Sequence, residues 1–268
     1  MITPLYQGTY SVGMDGKFIP ISPDDKPKRG HLKLALNPFL IRDDSLTALI
    51  DAGIGSFGPG NQYEMMVDSL GRQGVEPEDI QHVYCSHLHT DHIGGLLHER
   101  FGTYELTFPN AAIWLSGREW KRFTERAEQK GHDDTVRWAL YLETYGDLRF
   151  VEDTAPEPDS ITMTTIGGHT EFHQAILFEG RDEKAMMLGD VLGRPVAVNR
   201  KFAAKYDFDG KQSQQIRDHY LQKALEEEYL ILTYHSYNGA VIALKDFDQT
   251  KGYHIEHIPS DSTGNRRR

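Results

Sequence analysis

The sequence predicts an α+β fold, and three observations predict it. Strand-like segments dominate both halves of the chain, and each half also carries a helical pattern late in its course. No fixed-period repeat and no disordered linker divides the 268 residues. The reading is therefore one domain over 1–268, with a helical insertion at about 100–160 and a short polar C-terminal tail.

The elements follow in order. Residues 32–41 (LKLALNPFLI) alternate as a strand, Asp43-Asp44-Ser45 turns the chain, and LTALID makes a second strand, so a hairpin is expected. Asp51-Ala52-Gly53-Ile54-Gly55 leaves the sheet through glycines. A helix is expected over 63–73, with Met65, Met66 and Leu70 apolar and Gly74 closing it. The strand at 79–86 (DIQHVYCS) runs straight into SHLHTDHIGG. Region 101–160 holds all three tryptophans, Trp114, Trp120 and Trp138, and two amphipathic helices, GREWKRFTERAEQ and DDTVRWALYLETYG. Short strands recur beyond it (ITMTTI, QAILFE, KAMMLGD), then a helix over 212–227. The strands YLILTYH, AVIAL and GYHIEHI close the chain.

Charge and composition exclude whole classes of function. Lys and Arg total 29 against 40 Asp and Glu, a formal charge of −11. Such a balance repels phosphate backbones and anionic lipid, so neither nucleic acid nor membrane is an expected partner. The basic run Arg266–Arg268 ends a polar tail and reads as a frayed terminus. Mean hydropathy is −0.55, and no apolar run approaches spanning length. The N-terminus lacks the basic start and apolar core of a secretory signal. A single cysteine, Cys85, precludes an intrachain disulfide framework and fits a reducing compartment, so the expected location is cytoplasmic. Cys85 itself reads as a small core residue.

The chemistry lies in His87-Leu88-His89-Thr90-Asp91-His92. This chain's own His and Asp usage gives HxHxDH by chance in roughly two sequences per thousand, so a His-rich solvated loop is the weaker reading. His87 and His89 alternate as strand residues do and point the same way. Asp91 and His92 fall where the chain turns and can face a second ion, and Gly94-Gly95 allow the tight turn into a following helix. Three further candidates end predicted strands: His169 after Ile166-Gly167-Gly168, Asp190 after MMLG, and His235 after YLILTY. Any one alone is more often a hydrogen-bonded core histidine or loop carboxylate. Together they make five His and two Asp, enough for two adjacent ions with open positions for water and substrate.

HLHTDH, GGHT, LGD and TYH, with LIDAG before them, resemble in order the motifs of the metallo-β-lactamase superfamily, over about 32–252. The resemblance implies a four-layer αββα sandwich with metals at one edge of its two sheets. It implies that His87, His89 and His169 hold one ion, that Asp91, His92 and His235 hold the other, and that Asp190 bridges. Asp51 is expected behind the ligands, orienting a histidine through its ring N–H, with His173 a further supporting candidate. The bridging aspartate argues against the zinc β-lactamases of the superfamily. The long interval after His92, LGDV and the late helix look most like the lactonase and methyl-parathion-hydrolase-like branches. Two departures stand out. GHTEFH replaces the common GHTPGH, and Val191-Leu192-Gly193-Arg194 stands where many lactonases carry a tyrosine. Tyr206, Tyr234 and Tyr237 are the candidates to replace it.

The expected activity is that of a dinuclear metal-dependent hydrolase. A metal-bridging hydroxide attacks a carboxylic ester, a lactone in the first place, and Asp91 shuttles the proton. Phosphotriester or thioester hydrolysis at the same site, and an iron-dependent oxidoreductase of the same fold, are the alternatives. Two divalent ions are expected, zinc first, with Fe, Mn and Co open. The partner is a small-molecule substrate, and a homodimer is allowed. Trp114, Trp120, Phe123, Trp138 and Tyr141 are the first candidates for the substrate pocket, against a bland reading as helix-to-sheet packing. His82, His98, His219, His254 and His257 read as surface or satisfied histidines.

Overall fold

The computed structural model describes residues 1–201 and 204–259, so the expected polar tail lies outside it. The chain opens with β1 (Ile2–Pro4) and a small sheet of β2 (Thr9–Val12), β3 (Phe18–Ile21) and β4 (Leu32–Ala35). The expected hairpin is β5 (Phe39–Arg42) and β6 (Thr47–Ile50), paired antiparallel. There follow α1 (Gln62–Gly71), β7 (His82–Tyr84) and the short α2 (Thr90–Ile93). A second hairpin, β8 (Leu97–Arg100) with β9 (Thr103–Leu106), precedes β10 (Ala112–Leu115), α3 (Gly117–Lys130), α4 (Asp133–Tyr145) and β11 (Asp147–Phe150). The second half holds β12 (Ile161–Thr165), β13 (Gln174–Glu179), β14 (Lys184–Met187), α5 (Gly210–Glu226), β15 (Leu230–Leu232), β16 (Val241–Asp248) and β17 (Gly252–His257).

Two six-stranded sheets result, ordered β1-β5-β6-β7-β10-β11 and β12-β13-β14-β15-β16-β17. Period-two alternation decides which side chain faces which layer. In the first sheet Leu40, Leu49, Val83, Ile113 and Leu115 pack toward α1, α3 and α4 with Trp120, Trp138 and Leu142. Their neighbours Phe39, Ile41, Ala48, Ile50, Tyr84 and Trp114 face the second sheet, meeting Ile176, Phe178, Met187 and Leu232. Ala175, Leu177, Met186 and Ile231 point the other way, onto Leu221 and Ala224 of α5. The layers therefore run helix, sheet, sheet, helix: the αββα sandwich. Cys85 is buried in the first core.

Two expectations are corrected. The predicted strand 32–41 is two strands in different sheets. Pro38 has no N–H for a ladder, and buried Asn37 donates its Nδ2 to the carbonyls of Tyr234 at 2.7 Å and Ser236 at 2.8 Å. The break at Asn37-Pro38 thus ties the first half to the second. In the insertion, the run before α3 is β10, which pairs parallel to both β7 and β11. A short buried parallel strand has no alternation to announce it.

α3 and α4 match their amphipathic patterns closely. Ser116 caps α3, its Oγ accepting from the Glu119 N–H at 3.3 Å, and Gly131 ends it in the left-handed region at φ 64°.

Candidate metal centre

β6, β7, β12, β14 and β15 all end at one edge of the sandwich. β6 pairs parallel with β7, β14 pairs parallel with β15, and β12 runs with β14 through two antiparallel steps. The residues just past those ends are Asp51, then Ser86 through His92, then His169, Asp190 and His235. All seven predicted donors meet there in two groups: His87, His89, His169 and Asp190 in one, and Asp91, His92 and His235 in the other.

Within the first group, His87 Nε2 and His169 Nε2 stand 3.0 and 3.1 Å from His89 Nδ1. Donors about 2.0–2.1 Å from one ion stand roughly 3.3 Å apart in a tetrahedron, so this spacing suits a shared cation. In the second group, Asp91 Oδ2 lies 3.8 Å from His92 Nε2 and 3.7 Å from His235 Nε2. Asp190 stands between the groups. Its Oδ2 faces His169 Nε2 at 3.3 Å, and its Oδ1 faces His92 Nε2 at 3.3 Å and His235 Nε2 at 2.9 Å.

The hydrogen bonds behind the histidines decide which nitrogen is free. His92 Nδ1 donates to Asp51 Oδ2 at 2.7 Å, His87 Nδ1 to Ser86 Oγ at 3.1 Å, His169 Nδ1 to Asp207 Oδ1 at 2.9 Å, and His235 Nδ1 to the Ala35 carbonyl at 2.9 Å. With Nδ1 holding the proton, Nε2 keeps its lone pair and turns inward in all four. Asp51 anchors the network, accepting from Ser86 N–H at 2.7 Å and Ser86 Oγ–H at 2.8 Å. Its backbone sits at φ 57°, an unfavourable conformation that the packing around it must maintain.

Local sequence explains why the chain can come this close. A Cβ on Gly94 would lie 2.0 Å from the Ile54 carbonyl oxygen, and one on Gly95 would lie 2.0 Å from that of Ala52. The pair presses the end of α2 onto the loop after Asp51, where Ala52 N–H donates to the His92 carbonyl at 2.7 Å. The glycines serve close approach, and β8 follows them where a helix was expected.

The residues fit a divalent cation on an independent ground: His92 Nε2 and Asp190 Oδ1 are buried and have no hydrogen-bond partner among the described residues. Such atoms are costly unless something satisfies them. Burial, then the neighbouring imidazoles, holds His87 well below the ordinary histidine range, which keeps it in the neutral form a metal requires.

Of the supporting candidates, Asp51 orients His92 as expected. His173 bonds no ligand side chain. It packs its ring 4.6 Å from that of His87 and donates Nε2–H to the Leu188 carbonyl at 3.0 Å, behind the turn carrying Asp190. Asp207, Ser86 and the Ala35 carbonyl went unmarked by sequence reasoning. Each is an ordinary residue in its own segment, and only the tertiary fold sets it behind a histidine.

A pocket of about 220 Å³ opens beside His89 and His169, lined also by Glu119, Phe123, Phe172, Tyr206 and Phe208. The pocket expectation is thereby corrected: only Phe123 of its five aromatics is there. Trp114, Trp120 and Trp138 are core, and Tyr141 packs on it. Of the three tyrosines, Tyr206 faces the pocket. Tyr234 is buried behind it, stacked on His92 at 4.0 Å with its hydroxyl donating to the Asp91 carbonyl at 2.6 Å, and Tyr237 is exposed under Lys33. A larger cavity of about 650 Å³ lies beside α1 and β8, and none of the seven donors lines it. The five histidines expected to be surface or satisfied hold no place in the centre: His82 accepts from Trp114 Nε1 at 3.0 Å, His98 stacks on Tyr63 at 3.8 Å, and His219, His254 and His257 are exposed.

A family model described as the metallo-beta-lactamase superfamily matches residues 34–235. Among curated proteins, the chain is similar to metallo-beta-lactamase domain-containing protein 1 of Xenopus laevis, 43% identical over 51 residues. That match covers 19% of this chain and only 20% of the relative. Among solved structures, a probable metal-dependent hydrolase from Staphylococcus aureus superposes with a TM-score of 0.74 at 22% identity, covering 91% of each chain. AidC, a dizinc quorum-quenching lactonase in complex with a product, superposes with a TM-score of 0.72 at 18% identity, over 95% of this chain and 92% of that one. At such identities these two likenesses speak for the fold. No helix of the described residues is long and apolar enough to cross a membrane.

Proposed function

The chain belongs to the metallo-beta-lactamase superfamily and is a metal-dependent hydrolase, and from that premise we propose that its centre is dinuclear and opens carboxylic esters, lactones in the first place. The observation that carries the reading is Asp190, whose two oxygens face different donor groups, Oδ2 toward His169 and Oδ1 toward His92 and His235. A carboxylate so placed suits two cations about 4 Å apart. Zinc is the proposed occupant, on five imidazoles and on the dizinc likeness.

Bound ions would supply a water of lowered pKa and a positive charge for the developing oxyanion. The chain does the rest. Nδ1 donation to Asp51, Ser86, Asp207 and the Ala35 carbonyl fixes four imidazoles before substrate arrives. Asp91, held through its carbonyl by Tyr234, would hold an ion through Oδ2 beside His92 and His235, which leaves Oδ1 to take a proton from the attacking water and return it to the leaving alkoxide. His89 is exposed, so the centre is open on the side of the 220 Å³ pocket, where an acyl chain can lie against Phe123, Phe172 and Phe208. A cyclic ester suits this arrangement because its leaving oxygen stays tethered. The same reading takes 1–268 as one catalytic domain in the cytoplasm, acting on a small molecule.

The test is ring opening of an N-acyl homoserine lactone by zinc-loaded protein, followed as acid release. Rapid turnover abolished by chelation is expected. Absence of turnover from metal-replete protein would overturn the lactone assignment and move it to phosphotriesters, thioesters or open-chain esters.

A further inference from the structure

The pocket beside the metal centre is built along one face of α3. Glu119, Arg122, Phe123 and Arg126 line it, at the spacing i, i+3, i+4, i+7 that stacks side chains on one side of a helix. Glu119 marks the inner end, its Oε1 accepting from Leu88 N–H at 3.3 Å between His87 and His89. Arg126 lies about 10 Å further along the axis at the helical rise. Phe123, Phe172 and Phe208 line the same pocket.

The arginines of this helix form a row at i, i+4, i+8, and the row is unevenly partnered. Arg118 pairs with Glu152 at 3.2 Å and lies over the Phe172 ring at 4.7 Å. Arg122 pairs with Glu171 and lies over Phe208 at 5.4 Å. Arg126 lines the pocket with no ion pair or hydrogen bond to any described residue. Arg118 and Arg122 are neutralised by carboxylates, so Arg126, exposed at the outer end of the row, is the guanidinium of the three that the pocket leaves open to an anion.

We propose that Arg126 reads a carboxylate on the far end of the substrate, so that the enzyme favours esters whose apolar acyl chain ends in an acid. The ester end sits at the metal edge, the hydrocarbon crosses the phenylalanines, and the terminal carboxylate pairs with the planar guanidinium fork. The inference rests on the hydrolytic reading of the same site and narrows its substrate class. Glu171 and Phe172, the two residues that replace Pro-Gly in the GHTEFH motif, are both in this pocket, the first neutralising Arg122 and the second walling the channel.

The experiment is calorimetric binding of octanoate and octanedioate to the zinc-loaded protein, which share one carboxylate head and differ in the tail. Octanedioate should bind about tenfold more tightly, the size of a charge-assisted pair, and the preference should shrink as salt is raised. Arg126→Ala and Arg126→Gln should both erase the preference while leaving octanoate binding and metal content unchanged. Equal affinities, no binding of octanedioate, or a preference that survives Arg126→Ala would each overturn the proposal. Turnover separates the two readings: a protein that discriminates the diacid yet opens no lactone sinks the lactonase reading alone, and one that opens lactones while ignoring the tail sinks this one alone.

Discussion

The two halves of the metal centre are built in opposite ways. His87, His89, Asp91 and His92 come from one six-residue stretch after β7, whereas His169, Asp190 and His235 each stand alone at the end of a different strand. The contiguous half is held locally. Ser86 and Asp51 bind one another and two of its histidines, and Gly94-Gly95 seat the turn. The dispersed half is held by the fold. His169 leans on Asp207 from the chain before α5, and His235 leans on the Ala35 carbonyl from the other end of the sequence. Local density makes a motif conspicuous, while dispersed ligands couple the metal to the closing of the whole sandwich.

Asp190 is where the halves meet, and removing it tests the contrast most severely. Asp190→Ala should cut kcat/KM by about a thousandfold and release metal from both groups, as metal analysis beside steady-state kinetics would reveal. A variant that kept full metal content would place the bridge elsewhere. The supporting carboxylates come next. Asp51→Asn should weaken metal binding by about 100-fold, and Asp207→Asn by about 10-fold, because Asp51 serves Ser86 as well as His92 while Asp207 holds His169 alone. Competition with a chelator measures both. Equal losses would mean that the contiguous half has no stronger local support than the dispersed one.

The aromatic residues of the insertion sharpen the same lesson at smaller cost to activity. Phe123→Ala should raise KM by about tenfold for long-chain substrates with little change in kcat, because it removes uniform binding. Trp138→Ala should leave KM unaltered yet cost about 3–5 kcal/mol of stability in denaturant melts, because the ring is wholly in the core. If Trp138→Ala moved KM instead, the pocket boundary drawn along α3 would be wrong.

Much of this was legible in the sequence because it obeys local rules. The hairpin β5–β6, the helices α3 and α4 and the HxHxDH stretch all announce themselves by period or spacing. His169, Asp190 and His235 became readable only as a set, each at a strand end, through the resemblance of their order. What escaped had no local mark. β10 is a short parallel strand without alternation, and Asn37-Pro38 hid a strand break inside an apolar run. Asp207 gains its role only when the start of α5 packs against the loop bearing His169. The pocket aromatics were misjudged because composition cannot tell a tryptophan facing the sheet from a phenylalanine one turn along that faces the opening.

The central claim is that two ions share Asp190. The direct measurement is zinc per chain in protein reconstituted with excess metal and desalted, for the parent and for His235→Ala. Two equivalents in the parent and one in His235→Ala are predicted, since that substitution breaks the second group and leaves His87, His89 and His169 in place. A single equivalent in the parent, or two retained after His235→Ala, would contradict it.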